Sequence, residues 1–395
     1  MIFQALDDKT ECVGVYANGR LYFENFPDEL THTWKYSGSM SDKKMEFAWL
    51  YTGGLSIEEA CPPEMQDELE AIFRKMRAYK KSFDIAKLSM RDHCFFDLIP
   101  HDFLIKFCDL RNRVSAHVFE NVEKPLNYNH LDGAQRLIHK IRYQPVKLDN
   151  SDCKKLFINS DLRRSAQKIL NGSRYIDYNL FGTVTGRLTC ISESLPILTM
   201  KRELRQLIKP HNDWFLSLDY NGAEARTLMA LSGQEQPNED VHTWNMKNII
   251  KEDDIDRSEA KTLFFSWLYN PDSDTLDTEF YDRKKILDIY YDGEYINTVF
   301  NRRMKVDGRR ALNYLIQSTT ADLVIERAVA IDKFLQNKKS FISHIVHDEI
   351  VIDFSDEERH CISEIKEIFS NNRLDNFLVN VSAGKDYFNM NGLNV

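Results

Sequence analysis

WFLSLDYNGAEAR, residues 214–226, is the stretch on which the fold turns. Phe215, Leu216 and Leu218 form an apolar run that reads as a strand from Trp214 to Leu218, delivering Asp219 at its end. Gly222 then turns the chain into a helical run starting near Glu224. A second stretch, FISHIVHDEIVIDF at 341–354, is two apolar segments, Phe341 to Val346 and Ile350 to Phe354, flanking His347-Asp348-Glu349. This pattern predicts an antiparallel hairpin holding two acids at its tip. Each acid alone reads as a solvated turn residue. If the hairpin pairs with the first strand, Asp219 and Asp348 converge, and two such carboxylates plus substrate phosphates suit Mg²⁺. Two ions roughly 3.5 to 4 Å apart serve phosphoryl transfer.

Between these acids lies DRSEAKTLFFSWLYNP, residues 256–271. Arg257, Lys261, Phe265 and Tyr269 stand four residues apart, so they project along one stripe of one helix, which Pro271 ends. Two cations followed by two rings match a nucleoside triphosphate in order, phosphates at the basic end and sugar and base at the aromatic end.

The rest of the chain sets bounds. The 395 residues, 43% apolar and 12% aromatic, suffice for two or three domains with cores and exclude a disordered or fibrous protein. The net charge of −9 means that affinity for a polyanion must come from local basic surface and bound cations. Seven cysteines without a C-x-x-C speak against a zinc knuckle, a thioredoxin motif and a disulfide framework. No basic leader precedes an apolar run and no apolar stretch approaches the roughly 18 to 20 residues that span a bilayer, so a soluble, cytoplasmic protein without membrane contact is expected.

At the front, ECVGVYANGRLYFENF alternates apolar residues around Asn18-Gly19, a hairpin signal. From about Ser56 helical periodicity takes over, with Met65, Leu69, Ile72, Phe73 and Met76 on one face and Arg74, Lys75, Arg77, Lys80 and Lys81 on later turns. That basic run reads as a solvated face, with a phosphate-facing surface as the alternative. Helical segments continue to about Lys147, interrupted near Pro100 and Pro125.

Taken in order, LDYNGAEAR, R-x-x-x-K-x-x-x-F-x-x-x-Y and VHDEIV resemble the three signature motifs of the family A DNA polymerases, the group of bacterial DNA polymerase I and many phage replicases. TVTGRL at 183–188 and RRALNYLIQSTTADL at 309–323 resemble two further segments of that family, and together the motifs cover roughly 181–354. The resemblance implies an α/β (α+β) right-hand fold: an N-terminal β-containing region at 1–55, a helical thumb-like region at 56–180, a palm with an antiparallel sheet at 181–232 and 309–395, and helical fingers at 233–308. It implies a template-directed polymerase that adds dNTPs to a primer on primer-template DNA. A single-subunit RNA polymerase and an inactive DNA-binding relative are the alternatives.

The resemblance also assigns roles. Asp219 and Asp348 would bind two catalytic Mg²⁺ ions, replaceable by Mn²⁺, with Glu349 as acidic support. Lys261 would contact the triphosphate and protonate pyrophosphate, Arg257 would hold the outer phosphate, and His242 in DVHTW would touch phosphate too. Glu224, backed by Tyr269, would exclude a 2′-OH, and Phe265 would discriminate against dideoxynucleotides. Arg187, Asn313 and Gln317 would touch the minor-groove edge of the new pair, His347 the primer end, and Arg309 the template and primer. Asn270 stands where the family usually has Gly, and Asn221-Gly222-Ala223 where it has Ser-Gln-Ile. The short fingers and thumb imply low processivity or reliance on a processivity factor or other replisome protein. No D-x-E triplet precedes Asn150, so proofreading is not expected; Asp277-Thr278-Glu279 has that form inside the polymerase-like region.

Overall fold

The computed structural model describes residues 1–9, 11–38, 44–90, 92–151, 153–251, 254–276, 278 and 280–395; Asp277 and Glu279 of the D-x-E triplet lie outside the described residues. The chain divides into two compact units, Met1–Arg136 and Leu137–Val395, a division that falls inside the segment 56–180.

The first unit begins with an antiparallel sheet of Phe3–Asp8, Glu11–Ala17 and Arg20–Tyr22. Asn18 and Gly19 form its second loop with φ of 49° and 76°, both left-handed, as a two-residue loop matched to strand twist requires. Ser56 and Glu59 form a capping box opening the turn Ile57–Ala60. After Pro62 and Pro63 the helix Gln66–Ile85 buries Leu69, Ile72 and Met76. Helix His101–Asn121 follows Pro100 and packs Phe103, Leu104, Cys108 and Val114 into the same core.

The second unit is built around a five-stranded antiparallel sheet in the order Phe341–Val346, Glu349–Phe354, Trp214–Tyr220, Val379–Gly384, Asn391–Gly392. Residues Trp214 to Leu218 are all buried, which accounts for their unbroken apolar character apart from Ser217. Helices Ala311–Phe334 and Ile362–Ser370 pack on this sheet and on each other. The hairpin differs from expectation in one respect. Val346 pairs directly with Glu349, so the loop is only His347 and Asp348, and the tip carries one acid instead of two. His347 adopts a φ of 56° to close that tight turn.

Beyond the sheet run helices Ala223–Leu231, Val241–Asn245, Arg257–Tyr269 and Arg283–Tyr290, which share a core of Leu228, Phe264, Trp267, Tyr281 and Leu315. The region 233–308 also holds an antiparallel pair, Tyr295–Asn297 with Arg303–Lys305. Two short pairings join Lys147–Leu148 with Ile208–Lys209 and Tyr178–Asn179 with Thr189–Cys190; the first places a strand at the end of the stretch read as helical to about Lys147. All seven cysteines are free thiols. Among the described residues no helix is long and apolar enough to cross a membrane.

Candidate active site

Asp219 lies opposite Glu349 on one neighbouring strand and Asn380 on the other. Asp348, next to Glu349 in the hairpin loop, opens with Asp219 on one cavity of about 510 Å³. Burial first, and then the charges of Asp348 and Glu349, push the Asp219 carboxyl up to about 7; the Asn380 side chain and Lys261 act the other way. Anionic oxygens gathered at a desolvated point are the donor chemistry of a hard divalent cation, so the two aspartates fit Mg²⁺. Among the described residues no group of three or more His, Cys, Asp or Glu side chains is placed to hold a metal. Glu349 explains why: its carboxylate accepts from Ser217 Oγ at 2.5 Å and from the Tyr387 hydroxyl at 2.7 Å, and it does not line the cavity.

The helix Arg257–Tyr269 presents all four of its stripe residues to this cavity. It begins with a capping box between Asp256 and Glu259 and buries Ala260, Phe264, Trp267 and Leu268 on its other side. Phe265 and Tyr269 stack with centroids 5.7 Å apart, and the Lys261 ammonium sits 6.0 Å from the Phe265 ring centre. Arg257 forks onto Asp240, Nε to Oδ1 at 2.9 Å and Nη2 to Oδ2 at 2.6 Å. Burial would raise the Asp240 carboxyl, but hydrogen bonds from Arg257, Asn221 and the Thr243 backbone outweigh it and hold the group well below the usual carboxylate range.

Glu224 stands one residue into the helix that follows Gly222. Gly222 has a φ of 65°, and a Cβ there would meet Val241 Cγ1 at 2.3 Å, so the tight turn after Asp219 requires glycine. Both Glu224 oxygens are engaged: Arg187 Nη2 donates to one at 2.5 Å and the Tyr269 hydroxyl donates to the other. The carboxylate, Arg187 and Tyr269 thereby form one tied wall of the cavity. His242 also lines it, and burial pushes its imidazole down to about 4, leaving a neutral ring whose Nδ1 is buried without a partner among the described residues.

Of the residues expected at DNA, Arg187 and His347 line the cavity, whereas Arg309, Asn313 and Gln317 do not. Arg309 pairs with Asp272 at 2.5 Å on the surface. Asn313 and Gln317 lie one turn apart near the start of the helix Ala311–Phe334, with Gln317 beside the Tyr269 hydroxyl and Asn313 Oδ1 buried without a partner among the described residues. Sequence reasoning missed the supports. Asp240, the partner of Arg257, is also the N-cap of the helix Val241–Asn245, a signal present in the quoted DVHTW. Buried Arg226 donates to the backbone oxygens of Asn221, Pro237 and Glu239, tying the turn after Asp219 to the loop before Asp240.

No family model matches the chain. Among curated proteins it is similar to thermostable DNA polymerase I of Thermus aquaticus, 26% identical over 246 residues that cover 49% of this chain and 29% of the relative. It is similar to DNA polymerase I of Aquifex aeolicus at 25% identity, covering 57% of this chain and 46% of the relative. The chain thus spans less than half the length of these relatives. Among solved structures it resembles the POL domain of Pol1 from M. smegmatis in complex with DNA primer-template and dNTP, with a TM-score of 0.60 and 16% identity, covering 73% of this chain and 76% of that one. The architecture is therefore that of a right-hand polymerase domain, with mixed helices and antiparallel sheets. Its sequence relatives are thus DNA polymerases I, and its fold agrees with that of a Pol1 polymerase domain.

Proposed function

We propose that this protein is a template-directed DNA polymerase that joins a dNTP to a primer 3′-OH on primer-template DNA. The observation that carries the reading is the single cavity shared by Asp219 and Asp348, from separate segments of one sheet, and by the Arg257, Lys261, Phe265 and Tyr269 stripe. In the reaction the primer oxygen forms a bond to the α-phosphorus, the bond from that phosphorus to the α,β-bridging oxygen breaks, and pyrophosphate leaves. Asp219 and Asp348 are the residues that would hold two Mg²⁺ ions, or Mn²⁺ in their place. Bound there, such ions lower the pKa of the attacking hydroxyl and neutralise charge on the leaving group.

The chain's own groups do the rest. Lys261 would donate a proton to departing pyrophosphate, and Arg257 would offer a fork for the outer phosphate once released from Asp240. Neutral His242 donates a hydrogen bond to phosphate oxygen. The tied wall of Glu224, Arg187 and Tyr269 closes on the sugar and disfavours a 2′-OH, while Phe265 sits where the base and sugar would pack. His347, at the hairpin tip and lining the cavity, would meet the primer end. Arg309, in the turn before the long helix, and Asn313 and Gln317, near its start, would serve DNA from outside the cavity. Weak grip on DNA, relieved by a processivity factor, and action in the reducing cytoplasm belong to the same proposal.

Extension of a labelled primer with dNTP and NTP mixtures tests it. Mg²⁺-dependent extension with dNTPs that disappears in Asp219→Ala is expected. Extension with NTPs alone would reassign the protein to RNA synthesis, and no extension with either would make it an inactive DNA-binding relative.

A further inference from the structure

We propose that the N-terminal unit carries a second nucleic-acid site, independent of the polymerase reading: a cavity of about 520 Å³ that takes a base and its phosphate from single-stranded nucleic acid. Its aromatic wall includes Trp49, Phe95 and Phe96, and its rim carries Arg77, Lys80 and Arg111. Glu58 is the one carboxylate among its lining residues, against four cations when Lys35 is counted.

Three observations point to an anionic, planar ligand. Arg111 lies 5.3 Å from the Phe107 ring centre, and among the described residues its Nε is buried with no hydrogen-bond partner and no ion pair; the Glu58 carboxylate acts on it only electrostatically. A desolvated donor left unpaired is unfavourable, and an anionic oxygen would satisfy it. Secondly, the basic run of the helix Gln66–Ile85 sorts itself. Arg74 pairs with Glu70 and Lys75 sits over Tyr79 and Phe103, whereas Arg77 and Lys80 have no ion pair among the described residues and line the cavity. Thirdly, cations and rings alternate along the wall: Lys35 lies 4.4 Å from the Trp49 ring centre and Lys80 lies 5.6 Å from that of Phe95. Alternating stacking surface and phosphate-binding charge is how single strands are held without sequence preference. An acidic peptide would use the cations and leave the flat ring faces without planar partners.

The full-length protein, without divalent metal, would be crosslinked by light to an oligothymidylate of about twelve nucleotides carrying 5-iododeoxyuridine, with anisotropy of the same labelled strand measured in parallel. Crosslinks at Trp49, Phe95 or Phe96 are expected, and Lys261→Ala, in the other cavity, should leave them in place. The doubly substituted Arg77→Ala/Lys80→Ala protein, altered only at exposed positions, should bind roughly tenfold more weakly with a shallower salt dependence. Arg111→Gln should act in the same direction. Loss of these crosslinks in equal concentrations of free dTMP would name the mononucleotide as the source of the same chemistry. Crosslinks confined to residues 137–395, or unchanged affinity in the double variant, would overturn the proposal. Displacement by an acidic aromatic peptide but not by nucleotides would overturn it as well.

Discussion

Glu224 has both carboxylate oxygens engaged, one by Arg187 and one by Tyr269, so its side chain is held as a fixed wall and not a mobile arm. Replacing it with alanine should raise ribonucleotide incorporation relative to deoxyribonucleotide by roughly 10- to 200-fold, measured as the ratio of kcat/KM values. A second residue-scale prediction concerns Asp322, which is fully buried and forks onto Arg302 at 2.7 and 2.9 Å. Asp322→Ala leaves that guanidinium buried without its counter-charge and should cost about 3–5 kcal/mol in urea unfolding. The Arg302→Met/Asp322→Leu pair should lose less, because neither charge remains. His344 supplies a pH dependence. Burial, with some help from Arg205, pushes its imidazole down to about 3, against 6.5 for the free side chain. Below 6.5 the unfolded chain takes up a proton that the folded chain refuses until about 3. Stability from this group is therefore complete above 6.5 and falls as pH drops through that window, by at most about 1.4 kcal/mol per pH unit. Urea midpoints at several pH values would show it, and His344→Asn should flatten the slope.

Among the elements, the helix Arg257–Tyr269 was legible because its four cavity-lining residues repeat at the helical period, and the central strand because an apolar run stops at an acid. The hairpin was legible as a hairpin but not in register. Apolar patterning marks where two segments lie, whereas the length of the loop is decided by the backbone of His347, which the sequence does not display. That difference moved Glu349 from the tip into a strand, where Ser217 and Tyr387, distant in sequence, hold it. Supports of this kind, like the bond between Arg226 and the loop before Asp240, arise from tertiary contact alone and leave no periodic trace. The start of the helix Arg257–Tyr269 is testable at this scale. Asp256→Ala removes the acceptor for the Glu259 backbone and should destabilise the protein by about 1 kcal/mol. Since Arg257 is the next residue, KM for dNTP should rise more than kcat falls.

For the whole molecule, net charge and local charge oppose each other. A chain of −9 repels DNA at long range, so the proposed binding to primer-template would have to rest on a limited set of Arg and Lys contacts. Affinity should fall steeply with salt, each phosphate contact contributing about −0.9 to the slope of log K against log salt, and titrations from low to physiological salt would count those contacts. The division at Arg136 and Leu137 lay beyond sequence reading because helical patterning runs through it without a linker; the helix Tyr128–Arg142 crosses it. Inside the second unit the Arg257–Asp240 fork bears on how the enzyme would behave at rest. A guanidinium already matched by an internal anion has little appetite for stray phosphate, so solutes with one or two negative charges gain almost nothing by entering. Only a ligand bringing a longer chain of phosphates can outbid the resident carboxylate, and Asp240, set loose, would then report arrival of the right guest to the turn beside Asp219 through Asn221.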